Sequence, residues 1–399
     1  MRVVMLTGRY GLGGAERQAM MLVRGLERRH EVHFITTGER DEAFVEGGHR
    51  RIVVALPRRS WFWHNYRNPS VVRKVKAHLE DIKPDVLHFH NVHNRTLSLS
   101  SLLASRRYPT VWTLHDVWSQ CVWSIARPAR CEGTRRGCWG CVAMPGLAVI
   151  DRRIKEAVFR RSPLHVVCPS EWLRRRISSS VLATKPVEVI PNGVEVARFE
   201  GADGAPVRQR LGIPAEARVV LLVAHMLKNV KGHADLLNLA PKILADEEDV
   251  WFVLVGPHNE PEPDYPHVIL TGPAEEEDIP RYYAAADVLA YPTHADNFPD
   301  AVLQAMAASL PVVAHRVGGI PEQIVDGETG VLVDEGDPVR FERELRLLLQ
   351  DAEMRRSMGK RGRERARRLF TVETQLARLE TLYGRAASVP LSLPGRGLG

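Results

Sequence analysis

Short apolar runs rich in Val, Ile and Leu recur along the chain and are bounded by Gly, Pro, Asn and Asp. They alternate with stretches whose apolar residues fall three and four apart. The first pattern is that of buried strands, the second that of amphipathic helices. In the first half, runs at 2–6, 31–36, 52–56, 85–90, 110–114, 164–168 and 187–190 predict strands, with helices between them, as over 15–28 and 71–81. The pattern restarts with runs at 218–225, 250–256, 268–271, 288–291, 311–315 and 330–333. Strands that alternate with helices pair in parallel, so the chain predicts an α/β protein of two doubly wound, Rossmann-like domains. The Gly- and Pro-rich segment 201–214 reads as their linker, within a junction over 195–215. Residues 1–200 then form an N-terminal domain and 201–370 a C-terminal one, followed by a helix over 371–388 and a disordered tail over 389–399.

Composition narrows the class. A hydrophobic share of 44% with 26% charged residues excludes wholesale disorder, and five cysteines in 399 residues exclude a disulfide-dense scaffold. No run approaches the roughly 18 apolar residues of a membrane span, and the first apolar stretch is too short for a signal peptide. The expectation is a soluble, cytoplasmic protein. Its charge is uneven. Residues 1–200 carry 33 Lys and Arg against 18 Asp and Glu, whereas 201–350 carry 11 against 25. A basic half fits an anionic partner, although solvated faces of an Arg-rich chain give the same count.

Candidate chemistry sits where the runs end. Gly13 and Gly14, in the segment GLGGAE, follow the first strand and open a helix, where backbone N–H groups face outward toward an anion. The segment lacks a dinucleotide fingerprint and a P-loop. His90 and His93 (in HFHNVHN) and His115 (in LHD) close two further strands, at the end of an α/β sheet where ligands bind. Each of these pieces alone is also what an ordinary turn or a core histidine supplies. Between 57 and 76, Trp61 and Trp63 lie among arginines and lysines, a mixture suited to an anionic membrane surface, to single-stranded nucleic acid or to a folded core. Seven of the eight tryptophans precede residue 173, which favours this side for contact. Nucleic acid is set aside because no recognisable nucleic-acid module accompanies the basic residues.

Cys121, Cys131, Cys138 and Cys141 fall close together, the last two as C-x-x-C. Four thiolates at such spacing suit a structural Zn²⁺, ahead of free or disulfide-forming thiols and of an iron–sulfur cluster. In the second half, Lys228 and Lys231 follow a strand, and Asp296, Asn297, Phe298 and Gln304 surround a helix start at Pro299. Gly318, Gly319 and Glu322 precede another turn of helix. A carboxylate and a lysine around a helix N-terminus suit a phosphorylated ligand, and a capped helix with ordinary turns is the plainer alternative.

The order of GGAE, PNGVE, VKG, the 296–304 segment and GGIPE with DGETGVLV resembles the retaining glycosyltransferases of family 4 over roughly residues 2–385. HFHNVHN, TLHDVW and the four cysteines are most similar to the exopolysaccharide, colanic-acid-type branch. The resemblance implies the GT-B fold: two Rossmann-like domains facing a cleft, with the last helix crossing back to the first. It implies a nucleotide-sugar donor held mainly by the C-terminal domain and a glycan or lipid-linked acceptor held by the N-terminal one, near the inner face of the membrane, in surface polysaccharide or glycoconjugate synthesis. By position, Lys231 would neutralise the donor diphosphate, helped by Lys228. Asp296, with the backbone of Asn297 and Phe298, would hold sugar hydroxyls, Gln304 the ribose, and His115 the sugar and leaving phosphate. Gly13 and Gly14 would approach the diphosphate or acceptor. No catalytic metal is expected.

Three departures stand out. The family's paired glutamates are Asp296 and Gln304 here, and the arginine that usually precedes the lysine is replaced near His225. Gln304 and His225 motivate the alternative of a non-catalytic GT-B binding or assembly subunit, and a transferase for small natural-product acceptors is a further alternative.

Overall fold

A computed structural model describes residues 1–9, 13–57, 62–93, 96–104, 106–121, 145–227, 229–258 and 265–388. The chain divides into two compact units, one of residues 1–191 with 372–399 and one of residues 192–371.

The first unit runs β1 (Arg2–Arg9), α1 (Gly14–Leu26), β2 (Glu31–Gly38), β3 (Glu42–Glu46), β4 (His49–Ala55), α2 (Pro69–Ile82), β5 (Val86–Phe89) and α3 (Leu99–Ala104). It continues with β6 (Thr110–Thr113), α4 (Pro145–Arg161), β7 (Leu164–Cys168), α5 (Glu171–Ile177) and β8 (Val187–Val189). Its sheet has the order β3-β4-β2-β1-β5-β6-β7-β8, parallel except for the β3–β4 hairpin. Val4 and Leu6 pack on one face and Val3 and Met5 on the other, because alternate side chains of a strand point to opposite faces. Both faces are covered, as an all-parallel sheet requires.

The second unit runs α6 (Ala205–Arg210), β9 (Arg218–Val223), α7 (His233–Leu244), β10 (Val250–Val255), β11 (Val268–Gly272), α8 (Ile279–Ala284), β12 (Val288–Tyr291) and α9 (Asp300–Ala307). Then follow β13 (Val312–His315), α10 (Ile320–Gln323), β14 (Val331–Val333), α11 (Pro338–Gln350) and α12 (Ala352–Leu369). The sheet order is β11-β10-β9-β12-β13-β14, fully parallel. In sequence order that is 3-2-1-4-5-6, the doubly wound Rossmann arrangement.

The segment expected to be a linker is ordered instead. It holds α6 and sends Val207 and Ile213 into the second unit's core, beside Val194, Val196 and Phe199. The apolar residues of 194–199 are what bring the division forward to 191. The last helix, α13 (Val372–Ser388), returns to the first unit and packs on α1. A Cβ at Gly25 would lie 2.3 Å from Leu376, so glycine lets the two helices approach. The tail expected over 389–399 lies outside the described residues, and so do Lys228, Trp61 and the Trp63 side chain. Among the described residues, no helix is long and apolar enough to cross a membrane.

Candidate functional site

Ligands of open α/β sheets bind beyond the strands' C-terminal ends, where the strand order reverses. In the second unit that point lies between β9 and β12. The chain leaving β9 makes a 3-10 turn at Asn229–Lys231, and Lys231 Nζ reaches Asp296 Oδ2, in the loop after β12, at 2.5 Å. Tyr291, buried at the end of β12, donates its hydroxyl to the same oxygen at 2.7 Å, and the Asn297 N–H donates to Oδ1 at 3.0 Å. Burial, and next the Asp296 charge, push the Tyr291 hydroxyl well above its ordinary range, so it stays a donor.

Close backbone packing sets this geometry. Gly232 has φ +78°, and a Cβ there would stand 2.1 Å from the Pro292 carbonyl. Gly318 has φ +59°, and its Cβ would stand 1.6 Å from the Asp296 carbonyl. Both positions demand glycine. Gly319 N–H donates to the Asn297 carbonyl at 2.7 Å, and Asn192 Nδ2 donates to the Phe298 carbonyl at 3.2 Å. The backbone of Asn297 is therefore engaged within its own turn, and the Phe298 ring is core, edge-on to Phe370. His294 spans Asp235 at 2.7 Å and Glu335 at 3.0 Å and ties the same loop to α7. Beyond Pro299, α9 begins. Gln304, one turn inside, accepts from Tyr283 Oη at 3.0 Å. Glu322 lies half-buried on α10, and its carbonyl accepts from Arg365 Nη2 at 2.9 Å.

In the first unit the order reverses between β1 and β5. Gly13 is extended, at φ 175°, and caps α1, which starts at Gly14. Glu16 in its first turn accepts from Asn91 Nδ2, beyond β5, at 2.9 Å. Burial raises the Glu16 carboxyl pKa despite that bond. His90 Nδ1 and His115 Nε2, beyond β5 and β6, are 2.7 Å apart, and the Trp112 indole donates to the His90 carbonyl at 2.9 Å. His93 lies 2.9 Å from Asp116 and stacks on Trp118, with ring centroids 4.8 Å apart. Beneath them His88 sits between Tyr383 Oη of α13 at 2.6 Å and Thr113 Oγ1 at 2.7 Å. Burial lowers all three stacked histidines, His88 to about 3, His115 to about 4 and His90 well below its ordinary value. They are neutral near pH 7.

The structure thus groups the expected residues in two places: Gly13, Gly14, His90, His93 and His115 in the first unit, Lys231, Asp296, Asn297, Gly318 and Gly319 in the second. Tyr291, Asn91 and Tyr383 escaped the sequence reading. Tyr291 closes a strand five residues before Asp296, a spacing that could have found it. Asn91 and Tyr383 act through contacts far apart in the chain. Of the cysteine cluster only Cys121 is described. Its carbonyl accepts from Lys155 Nζ at 2.8 Å, and Cys131, Cys138 and Cys141 lie outside the described residues.

Two family models match successive parts of the chain. Residues 12–198 match the family model "Glycosyltransferase Family 4", and residues 205–365 match "Glycosyl transferases group 1". A D-inositol 3-phosphate glycosyltransferase of Corynebacterium diphtheriae is 34% identical over 224 residues, which is 52% of each chain. Its namesake from Acidothermus cellulolyticus is 29% identical over 294 residues, 68% of this chain and 61% of the relative. The chain spans about half the length of the first of these curated relatives and under two thirds of the second.

Among solved structures, sucrose-phosphate synthase from Thermosynechococcus elongatus superposes with a TM-score of 0.76 at 20% identity, covering 96% of this chain and 99% of the other. Anabaena HepE in complex with UDP-glucose gives 0.69 at 19%, covering 96% and 100%. WaaG, a glycosyltransferase involved in lipopolysaccharide biosynthesis, gives 0.69 at 17%, covering 98% and 100%. The fold is GT-B, and both units match glycosyltransferase models.

Proposed function

We propose that this chain, a GT-B protein whose two units each match a glycosyltransferase model, transfers a sugar from a nucleoside-diphosphate donor to an acceptor hydroxyl with retention at the anomeric carbon. The observation that carries the reading is the Lys231–Asp296 pair at the second unit's strand reversal, beside the start of α9. A cation and a helix N-terminus suit a diphosphate, on which negative charge grows as the sugar leaves. A carboxylate beside them suits sugar hydroxyls.

In this reading Lys231, with Lys228, holds the diphosphate, Asp296 turns from Lys231 to the sugar, and Gln304 receives the ribose. Glu322 and the Gly318–Gly319 turn line the donor side. The bond from the anomeric carbon to the phosphate oxygen breaks, and the acceptor oxygen bonds to that carbon on the same face. The acceptor's proton passes to the leaving phosphate. In the same reading His115 serves the sugar and leaving phosphate, Gly13 and Gly14 the diphosphate or acceptor, and His90 and His93 the acceptor.

For the acceptor, the basic first half supports a phosphate-bearing molecule. A lipid-linked glycan in surface polysaccharide or glycoconjugate synthesis at the inner membrane face has that chemistry, and tryptophans set among basic residues in sequence, as Trp61 and Trp63 are, suit such a surface. The names of the similar curated proteins favour a second choice, a phosphorylated cyclitol. A structural Zn²⁺ on Cys121, Cys131, Cys138 and Cys141 completes the proposal, with no catalytic metal.

Calorimetric titration with UDP, GDP, ADP and dTDP tests the donor site, with Lys231→Ala as control. Micromolar binding of one nucleotide, lost in the variant, supports the transferase and names the donor class. Binding of none overturns the donor site and favours a non-catalytic subunit.

A further inference from the structure

The stacked histidines of the first unit carry a constraint that reaches His115. His90 Nδ1 lies 2.7 Å from His115 Nε2, and His90 Nε2 lies 2.8 Å from Met5 Sδ on β1. A thioether has no hydrogen to donate and accepts only weakly. Were His90 Nε2 unprotonated, its lone pair would face the lone pairs of the sulfur. The proton of neutral His90 therefore belongs on Nε2, directed at Met5. His90 Nδ1 is then an acceptor, and the proton it shares with His115 must come from His115 Nε2.

The alternative in which either ring is an imidazolium is disfavoured by the surroundings. The rings of His88, His90 and His115 follow one another with centroids 4.4 and 5.0 Å apart, so a charge on one opposes a charge on the next. His93 adds to that repulsion at His115, and the neighbouring Asp116 carboxylate opposes it. Burial outweighs both and holds the His115 pKa down to about 4.

We infer that Met5, acting through His90, is a positioning residue that fixes His115 as the neutral tautomer protonated at Nε2, with Nδ1 as its acceptor atom. The consequence for transfer rests on the transferase reading above; the tautomer does not. Held neutral, His115 adds no positive charge beside the cationic sugar carbon, and the proton of the attacking hydroxyl stays available to the leaving phosphate.

The test is a long-range ¹H–¹⁵N correlation spectrum of the histidine side chains in the full-length ¹⁵N-labelled protein, assigned with His115→Gln and His90→Gln. The expected result is a protonated Nε2 and an unprotonated Nδ1 at both residues, unchanged from neutral pH down to about pH 5. In Met5→Leu, which keeps the volume of the core side chain, the nitrogens of both residues shift toward exchange-averaged values. A protonated Nδ1 on wild-type His115, or titration near its ordinary value, overturns the tautomer. A folded Met5→Leu protein with unchanged spectra overturns the role of Met5. The wild-type spectrum decides the tautomer even if that variant does not fold. A protein that binds no nucleotide yet gives this spectrum loses the transferase reading and keeps the tautomer.

Discussion

Lys231 and Asp296 meet at 2.5 Å from the loops leaving β9 and β12, the two strands between which the second sheet reverses its order. The first sheet has a counterpart across its own reversal, where Glu16 at the start of α1 accepts from Asn91 beyond β5. Each crevice that the topology opens is thus spanned by a polar contact that a ligand would have to share or displace. Asp296 can release Lys231 to a phosphate and remain held by Tyr291 and the Asn297 N–H.

That arrangement makes Asp296→Ala a stability variant as well as a binding one. Removing the carboxylate leaves the buried Tyr291 hydroxyl without its acceptor, a loss of about 1–3 kcal/mol. Urea unfolding should show a lower midpoint at unchanged slope. Asp296→Asn, which keeps an acceptor oxygen, should recover most of the loss. Equal loss in both variants would mean that the charge, not the Tyr291 bond, matters for folding.

Gly318→Ala should disturb the same loop from its other side. A methyl group cannot occupy a position 1.6 Å from the Asp296 carbonyl, and the φ of +59° already disfavours it. The loop must move, so nucleotide affinity should fall at least tenfold, along with a stability loss of about 1–3 kcal/mol. Calorimetry and urea unfolding on the same preparation check both; wild-type affinity in the variant would show that the loop is not part of the site.

Most strands of both sheets were legible because they are largely buried apolar runs, often β-branched, between turn formers. The β3 strand, Glu42–Glu46, was not, because an edge strand of exposed residues has no apolar pattern to read. The segment 201–214 misled in the opposite way. Its Gly and Pro residues announce turns, while Val207, Ile213 and the half-buried Leu211 show that it packs. Chemistry-bearing residue types at strand ends are visible in the sequence, but their pairings are not. Lys231 was assigned to a phosphate and Asp296 to a sugar, and in the structure they bind each other. His88 and Tyr383 are separated by 295 positions, so no local pattern joins them.

Tyr383→Phe tests that long-range link. It leaves His88 Nδ1 without its hydrogen-bond partner in a fully buried place, at a cost of about 1–3 kcal/mol, and it frees α13 from the sheet at that point. Amide exchange in 372–388 should accelerate more than exchange in β9 to β14. Uniform acceleration across both units would contradict a local role for the bond.

The buried histidines set the response to acid. His88 and His115 have folded-state pKa values of about 3 and about 4, below the ordinary 6.5, and His90 is also depressed. Below pH 6.5 the unfolded chain binds protons that the folded chain does not, so stability is full above that value and falls as pH drops toward 4. Each such histidine contributes a slope of up to about 1.4 kcal/mol per pH unit. Urea unfolding between pH 7.5 and 4.5 should show the decline, and His88→Gln should lessen it by one proton's worth. The same slope in the variant would mean that His88 is protonated while folded.

Gln304→Glu bears most directly on what the donor site can do. Gln304 Oε1 accepts from Tyr283 Oη at 3.0 Å, and a glutamate keeps that bond while adding a charge. The resemblance to family 4 places a glutamate here, where it would accept from the ribose hydroxyls. A charge-assisted acceptor exceeds a neutral one by about 1 kcal/mol or more, so the variant should bind the preferred nucleotide about five- to tenfold more tightly. If wild-type protein turns over donor and the variant gains only affinity, the amide is a tolerated substitution in a working transferase. If turnover appears only in the variant, Gln304 marks a site held below catalytic competence, and the binding-subunit reading takes precedence.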